Sequence, residues 1–152
     1  MFRRRTAFTL VELILAVMFI GILAAVAVPR LNFSAVSKQK GDAAAMKIVT
    51  DLRRARRLAI SDAATNTAGF ALNMTGSAPY TGYEIENLDT EVTVDSHTID
   101  SAISCAGGSE FNFGPLGNLL AGSDTQLTVS ASGKTYTITI TTATGMIECT
   151  EN

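Results

Sequence analysis

The stretch RRRTAFTLVELILAVMFIGILAAVAV, from Arg3 to Val28, decides how this 152-residue chain is organised. Three arginines precede a short polar step and an apolar run, whose last sixteen residues, from Leu13 to Val28, carry no charge. As a helix, the 21 residues from Phe8 to Val28 would be roughly 31 Å long, about the thickness of a hydrocarbon core. The arginines on the short N-terminal side predict a membrane helix with a cytoplasmic N-terminus and an exported C-terminal domain.

One carboxylate, Glu12, interrupts this apolar run. An ionised side chain inside a membrane costs on the order of 2.5–3.5 kcal/mol, so its presence needs a reason. One interpretation is that Glu12 lies near the membrane surface and extends its carboxylate into water. The other is that Glu12 meets a cation within the membrane, for which we expect a free α-amino group created by cleavage just before Phe8.

The segment Arg3-Arg4-Arg5-Thr6-Ala7-Phe8-Thr9-Leu10-Val11-Glu12-Leu13 resembles the class III signal of type IV pilins and type II secretion pseudopilins. The resemblance implies that a prepilin peptidase cleaves between Ala7 and Phe8 and methylates the new N-terminus. It also implies that Glu12 pairs with the N-terminal amine of a neighbouring subunit in a filament, and that Pro29 bends a continuous helix. Ala7 stands where the family usually has Gly.

The domain organisation follows from this reading. Residues 1–7 form the leader, 8–29 the transmembrane and assembly helix, 30–61 its amphipathic continuation, and 62–152 a mainly β periplasmic head. Within the continuation, Ile48, Leu52, Ala55 and Ala59 form one stripe at helical period, on which we expect the head to pack. Short Thr/Val/Ile/Tyr-rich segments follow Asp62, and Ser132-Gly133 predicts a two-residue hairpin turn. The strands expected there are Gly69–Met74, Tyr80–Glu86, Glu91–Asp95, Glu110–Phe113, Gln126–Ala131, Lys134–Thr141 and Gly145–Cys149. The predicted fold class is α+β, with the pilin architecture of a long N-terminal helix and an antiparallel sheet.

A second, weaker resemblance concerns the head. Phe111-Asn112-Phe113-Gly114-Pro115-Leu116-Gly117-Asn118 and the helix end Leu52–Ile60 are similar to the minor pseudopilin H and FimT class. That resemblance implies a subunit at or near the filament tip that helps to start assembly. Some relatives in competent bacteria bind DNA through a basic C-terminal motif, whereas here the corresponding region has only Lys134.

Charge is strongly segregated along the chain. From Asp62 to the C-terminus there are eleven carboxylates and one cation, Lys134, for a net charge of −10. Because phosphate contacts need Lys and Arg, this acidic domain makes nucleic acid an unlikely partner. Just before this acidic segment, the predicted helix carries a cluster of positive charge: Arg53, Arg54, Arg56 and Arg57. They form either a solvated face, a contact with the acidic head of the same or a neighbouring subunit, or a site for DNA.

Other candidate sites carry weaker signals. His97 is expected to be an ordinary surface or loop histidine. Asp89, Glu91 and Asp95 share one face of a predicted strand, with Asp100 nearby, which fits a solvated edge better than a calcium site. Cys105 and Cys149 lie in the exported head, where an oxidising compartment favours a disulfide over two buried free thiols.

No residue pattern assembles a catalytic centre, a cofactor site or a metal site, so we expect a structural protein that is not an enzyme. The expected function is that of a minor pseudopilin or minor pilin in a type II secretion pseudopilus or type IV pilus of the bacterial inner membrane. Its partners would be other pilin or pseudopilin subunits, prepilin peptidase, the inner-membrane assembly platform and membrane lipid. The alternatives are a DNA-uptake pilin and a monomeric signal-anchored periplasmic protein.

Overall fold

The computed structural model describes residues 9–27 and 33–152. The chain divides into two compact units, Met1–Phe33 and Ser34–Asn152. The described residues contain two helices, α1 (Leu10–Ala27) and α2 (Phe33–Ser61), and eight strands: β1 (Phe70–Thr75), β2 (Gly82–Asn87), β3 (Val92–Thr98), β4 (Ser104–Gly107), β5 (Glu110–Phe113), β6 (Gln126–Ala131), β7 (Lys134–Ile140) and β8 (Ile147–Glu151). The predicted α+β class, with helices followed by antiparallel strands, is confirmed.

Helix α1 has 18 residues, fewer than the 21 predicted, and Phe8 and Val28 lie outside the described residues. Leu, Ile, Val, Met and Phe side chains on every side of α1 between Leu10 and Leu23 are exposed within the chain. Among the residues that the structure describes, none of the helices combines the length and the apolarity that crossing a membrane requires.

The strands form two four-stranded antiparallel sheets. The first has the order β3-β2-β1-β5 and the second the order β4-β6-β7-β8. In the first sheet, Leu72 of β1 lies between Ile85 of β2 and Phe111 of β5, and all three side chains are fully buried. Strands β3 and β8 are therefore edge strands of different sheets, which determines what each flank of α2 can contact.

Helix α2 joins the two sheets into one core. The predicted stripe of Ile48, Leu52, Ala55 and Ala59 is buried among strand residues of both sheets, as expected from its period of 3.6. Nearer its N-terminus the helix backbone comes close to the end of β6, because a Cβ at Gly41 would lie 2.6 Å from the Cβ of Ala131. Glycine at this position permits that approach, since any side chain would force the helix away.

The predicted hairpin at Ser132-Gly133 is confirmed. Ala131 pairs with Lys134, and both intervening residues have positive φ, 48° at Ser132 and 82° at Gly133, as a type I′ turn requires. Strand β4, which contains Cys105, was not predicted, because its four residues Ser-Cys-Ala-Gly show neither strong β propensity nor clear alternation.

Candidate functional site

The first candidate site is the beginning of α1, where Glu12 lies. Thr9 caps the helix: its hydroxyl oxygen lies 3.3 Å from the backbone nitrogen of Glu12, and its carbonyl accepts hydrogen bonds from the same nitrogen and from that of Leu13. Glu12 is the third helical residue and is exposed within the chain, which leaves its carboxylate available to another molecule. The pattern Thr9-x-x-Glu12 is that of a capping box, a local signal for the start of a helix.

Three predicted site residues cannot be placed. Ala7 and Phe8, predicted for processing, and Pro29, predicted to bend the helix, lie outside the described residues.

The four arginines of α2 are the second candidate site, and three of them contact the head of the same chain. Arg54 forms an ion pair with Asp95 of β3, which holds the pKa of that carboxyl below its usual value chiefly through the hydrogen bond. Arg53 donates a 3.2 Å hydrogen bond to the carbonyl of Ile147, and Arg56 donates one of 2.9 Å to the carbonyl of Gly117. These contacts favour the interpretation that the arginines meet the head.

A surface groove of about 890 Å³ is lined by three of the four arginines, Arg53, Arg56 and Arg57. Its walls are formed by α2 and by the segment around the β7–β8 connection: Thr50, Arg53, Arg56, Arg57, Thr141, Thr144, Met146 and Ile147. Within the described residues, the cations of α2 that pair with a carboxylate are Lys40, Lys47 and Arg54, and the arginines of the groove are not among them. The groove is therefore a concentrated region of uncompensated positive charge on an otherwise acidic unit.

A third cluster was not predicted and lies where α2 meets β2 and β3. Asp51 is only 2% exposed, accepts a 2.7 Å hydrogen bond from the Tyr83 hydroxyl and pairs with Lys47 at 2.9 Å. Burial, and then the hydrogen bond to Asp51, raises the pKa of Tyr83 well above its usual value. A buried carboxylate is tolerated only when it is paired in this way, so Asp51 anchors the helix to the sheet.

His97 belongs to this cluster; it is partly exposed at the surface, as expected, but it lies in an edge strand and not in a loop. It lies in β3 with its ring tilted against Tyr83, and its Nε2 atom is 3.2 Å from Lys47 Nζ and 3.6 Å from Asp51. Sequence reasoning missed the cluster because its members are far apart in the chain and only the antiparallel pairing of β2 with β3 brings Tyr83 opposite His97.

The acidic residues considered for calcium do not converge on a common point. Asp95 pairs with Arg54, and Asp100 pairs with Lys40 at 2.7 Å, which holds the pKa of Asp100 below its usual value. Asp89 and Glu91 are exposed in the β2–β3 turn. Among the described residues there is no group of three or more His, Cys, Asp or Glu side chains that could hold a metal ion.

The predicted disulfide between Cys105 and Cys149 is wrong, because both residues are free thiols. Cys105 lies in β4 and Cys149 in β8, the two opposite edges of the second sheet. Three strand spacings of about 4.8 Å separate these edges, whereas disulfide Cα atoms lie within about 7 Å. Burial raises the pKa of the Cys105 thiol to about 11, which makes it a core residue of low reactivity.

Comparison of this chain with protein-family models, with curated proteins and with solved structures finds no match.

Proposed function

We propose that this chain is a structural subunit of a helical filament, a minor pseudopilin of a type II secretion pseudopilus or a minor type IV pilin. The observation that carries the proposal is α1, whose large apolar side chains are exposed in the part of the chain that the structure describes. Leu10, Val11, Leu13, Phe19 and Leu23 are each more than 60% exposed. A helix that is apolar all round is stable in water only when other molecules cover it, and lipid and the same helix of further copies are the partners we propose.

Glu12 supports a filament over a simple membrane anchor. An anchor needs only an apolar surface, whereas a carboxylate within such a surface costs free energy unless a cation neutralises it. Among the described residues of this helix and its cap Thr9, Glu12 is the only charged one. In the proposed filament the cation is the N-terminal amine of a neighbouring subunit, created by cleavage between Ala7 and Phe8. The membrane-embedded stage would use the full predicted stretch from Phe8 to Val28.

The two alternatives have less support. A DNA-uptake role would rely on the α2 arginines, but Arg54 is paired with Asp95. The residues from Asp62 to the C-terminus also carry a net charge of −10, which repels DNA. A monomeric signal-anchored protein would need no carboxylate in its anchor. The experiment below distinguishes this monomeric anchor from a filament subunit.

The test is the intact mass of the chain extracted from native membranes, followed by the behaviour of Glu12 variants. We expect a mass that lacks Met1 to Ala7 and carries one added methyl group. Glu12→Ala should insert in the membrane normally but be lost from the sheared filament fraction, whereas Glu12→Asp, which keeps the charge, should retain part of it. A mass that includes the leader, or normal incorporation of Glu12→Ala, would leave the monomeric anchor as the better account.

A further inference from the structure

Among the described residues, the groove side chains Arg53 and Arg56 each donate one hydrogen bond to a backbone carbonyl of the same chain. Each of those bonds uses one donor of a guanidinium that has five, so most of the donors of Arg53 and Arg56 are not used in that way. Arg57 is exposed. Met146, which is 50% exposed, adds an apolar wall. The groove therefore fits a partner that presents carboxylates beside apolar side chains.

A surface of that kind lies elsewhere on the same unit, at the β2–β3 turn. Asp89 and Glu91 are exposed there, and Val92, which follows them, is 57% exposed. The Asp89 backbone nitrogen donates to the Asn87 side chain at 2.9 Å, which holds the turn in shape. The turn thus presents two carboxylates and an apolar side chain, the chemical complement of the groove.

The two surfaces lie on different flanks of α2, so one molecule cannot bring them together. Arg54 reaches Asp95 on β3, the strand that follows the acidic turn, whereas Arg53 reaches Ile147 on β8. Consecutive helical residues point about 100° apart, so these two contacts define separate sides of the helix. A contact between groove and turn must therefore join two copies.

We propose that the arginine groove of one subunit receives the acidic β2–β3 turn of the next. This contact is heterologous, since different surfaces of the two copies meet, and a heterologous contact that does not close into a ring propagates as a helical filament. The inference rests on the proposed function and adds to it a specific contact between the head domains of neighbouring subunits, with a defined orientation. Opposite charges on the two surfaces favour this pairing and disfavour groove against groove or turn against turn.

Site-specific cross-linking of the full chain in its native membranes tests the contact. In a Cys149→Ser background, the double variant Arg57→Cys/Asp89→Cys should form, under mild oxidation, a ladder of dimers, trimers and larger products. Two chains that each carry only one of these substitutions, expressed together, should stop at dimers, because each has a single reactive surface. The matched pair Lys38→Cys/Glu110→Cys, at exposed charged positions outside the proposed contact, should give no ladder.

Charge reversal provides a second measurement that needs no cysteine. Arg57→Glu alone and Asp89→Lys alone should each lower incorporation into the filament fraction about tenfold, because like charges then face each other. The combined variant should recover incorporation, and Lys38→Glu should have no effect. Neither Arg57 nor Asp89 has a described side-chain bond whose loss would confuse the result.

The outcomes separate this inference from the proposed function. If wild-type chain enters filaments but the ladder and the charge effects are absent, the head contact is wrong and the filament proposal stands. If the wild-type chain enters no filament and the Arg57→Cys/Asp89→Cys variant gives no ladder, both are wrong. Retention of the wild-type chain on DNA that Arg57→Glu abolishes, without any ladder, would assign the groove to nucleic acid and overturn the contact proposed here.

Discussion

The two helices of this chain differ in how much of their apolar surface is buried in the described residues. Helix α2 buries one stripe against the two sheets: Leu52 is fully buried, as are the alanines that follow it at helical spacing. Helix α1 has no such stripe, and Leu15, a residue of the same type, is 50% exposed. The difference teaches that an amphipathic helix can bury its one apolar stripe against neighbouring sheets, whereas a helix that is apolar all round needs a surface on every side to bury its side chains.

The electrostatics of the two helices follow the same division. The charged residues of α2 are matched by residues of the head, as in the pairs of Arg54 with Asp95 and Lys40 with Asp100. Helix α1 contains one charged residue, Glu12, and no described cation pairs with it. The groove arginines differ from the other cations of α2 that are named here, because no described carboxylate forms an ion pair with them.

The largest expected effect compares two leucines. Leu52→Ala should lower the free energy of unfolding of the unit Ser34–Asn152 by about 2–5 kcal/mol, because it leaves a cavity in the core. Leu15→Ala should change that free energy by less than about 0.5 kcal/mol, because no packing within this unit is lost. Urea unfolding of the full chain in detergent, followed by near-UV circular dichroism of the tyrosines, measures both. Equal losses would mean that α1 contributes to the core.

A smaller effect concerns the polar anchor of α2. Asp51→Ala should destabilise the same unit by about 1.5–3 kcal/mol, because the Tyr83 hydroxyl and the Lys47 ammonium lose their charged partner. Asp89→Ala, which removes an exposed carboxylate of the β2–β3 turn, is the matched control and should be nearly neutral. If the two variants unfold at the same urea concentration, the buried cluster does not hold the helix to the sheet.

The smallest effect is the acid dependence of the contact between α2 and β3. The folded-state pKa values of Asp95 and Asp100 lie below the ordinary value of 3.8, so their stabilisation is present above that pH and is lost as the pH falls through the lowered values. The urea midpoint should therefore fall on acidification below about pH 4, and part of that fall should be absent in Asp95→Asn. An unchanged acid profile in that variant would exclude a contribution from the Arg54–Asp95 pair.

Several elements of the fold could be predicted because their signals are local. The buried stripe of α2 follows from period, and the Ser132-Gly133 hairpin follows from turn chemistry. Strand β5 was predicted with the bounds that the structure gives, Glu110–Phe113. Strand β4 was not foreseen, since a short strand without alternation carries a weak signal. The contacts of His97 with Tyr83 and Lys47 were not foreseen either, since they depend on tertiary packing.

The sequence by itself determined the α+β class, the contrast between an apolar and an amphipathic helix, and the concentration of positive charge near the end of α2. Local period, composition and turn residues suffice for these features. Only the tertiary structure decided that Cys105 and Cys149 lie at opposite sheet edges, that Asp51, Tyr83 and His97 meet, and that the arginine groove and the acidic turn lie on different flanks of α2. Those facts depend on strand order and register, which are set by the packing of residues distant in the chain.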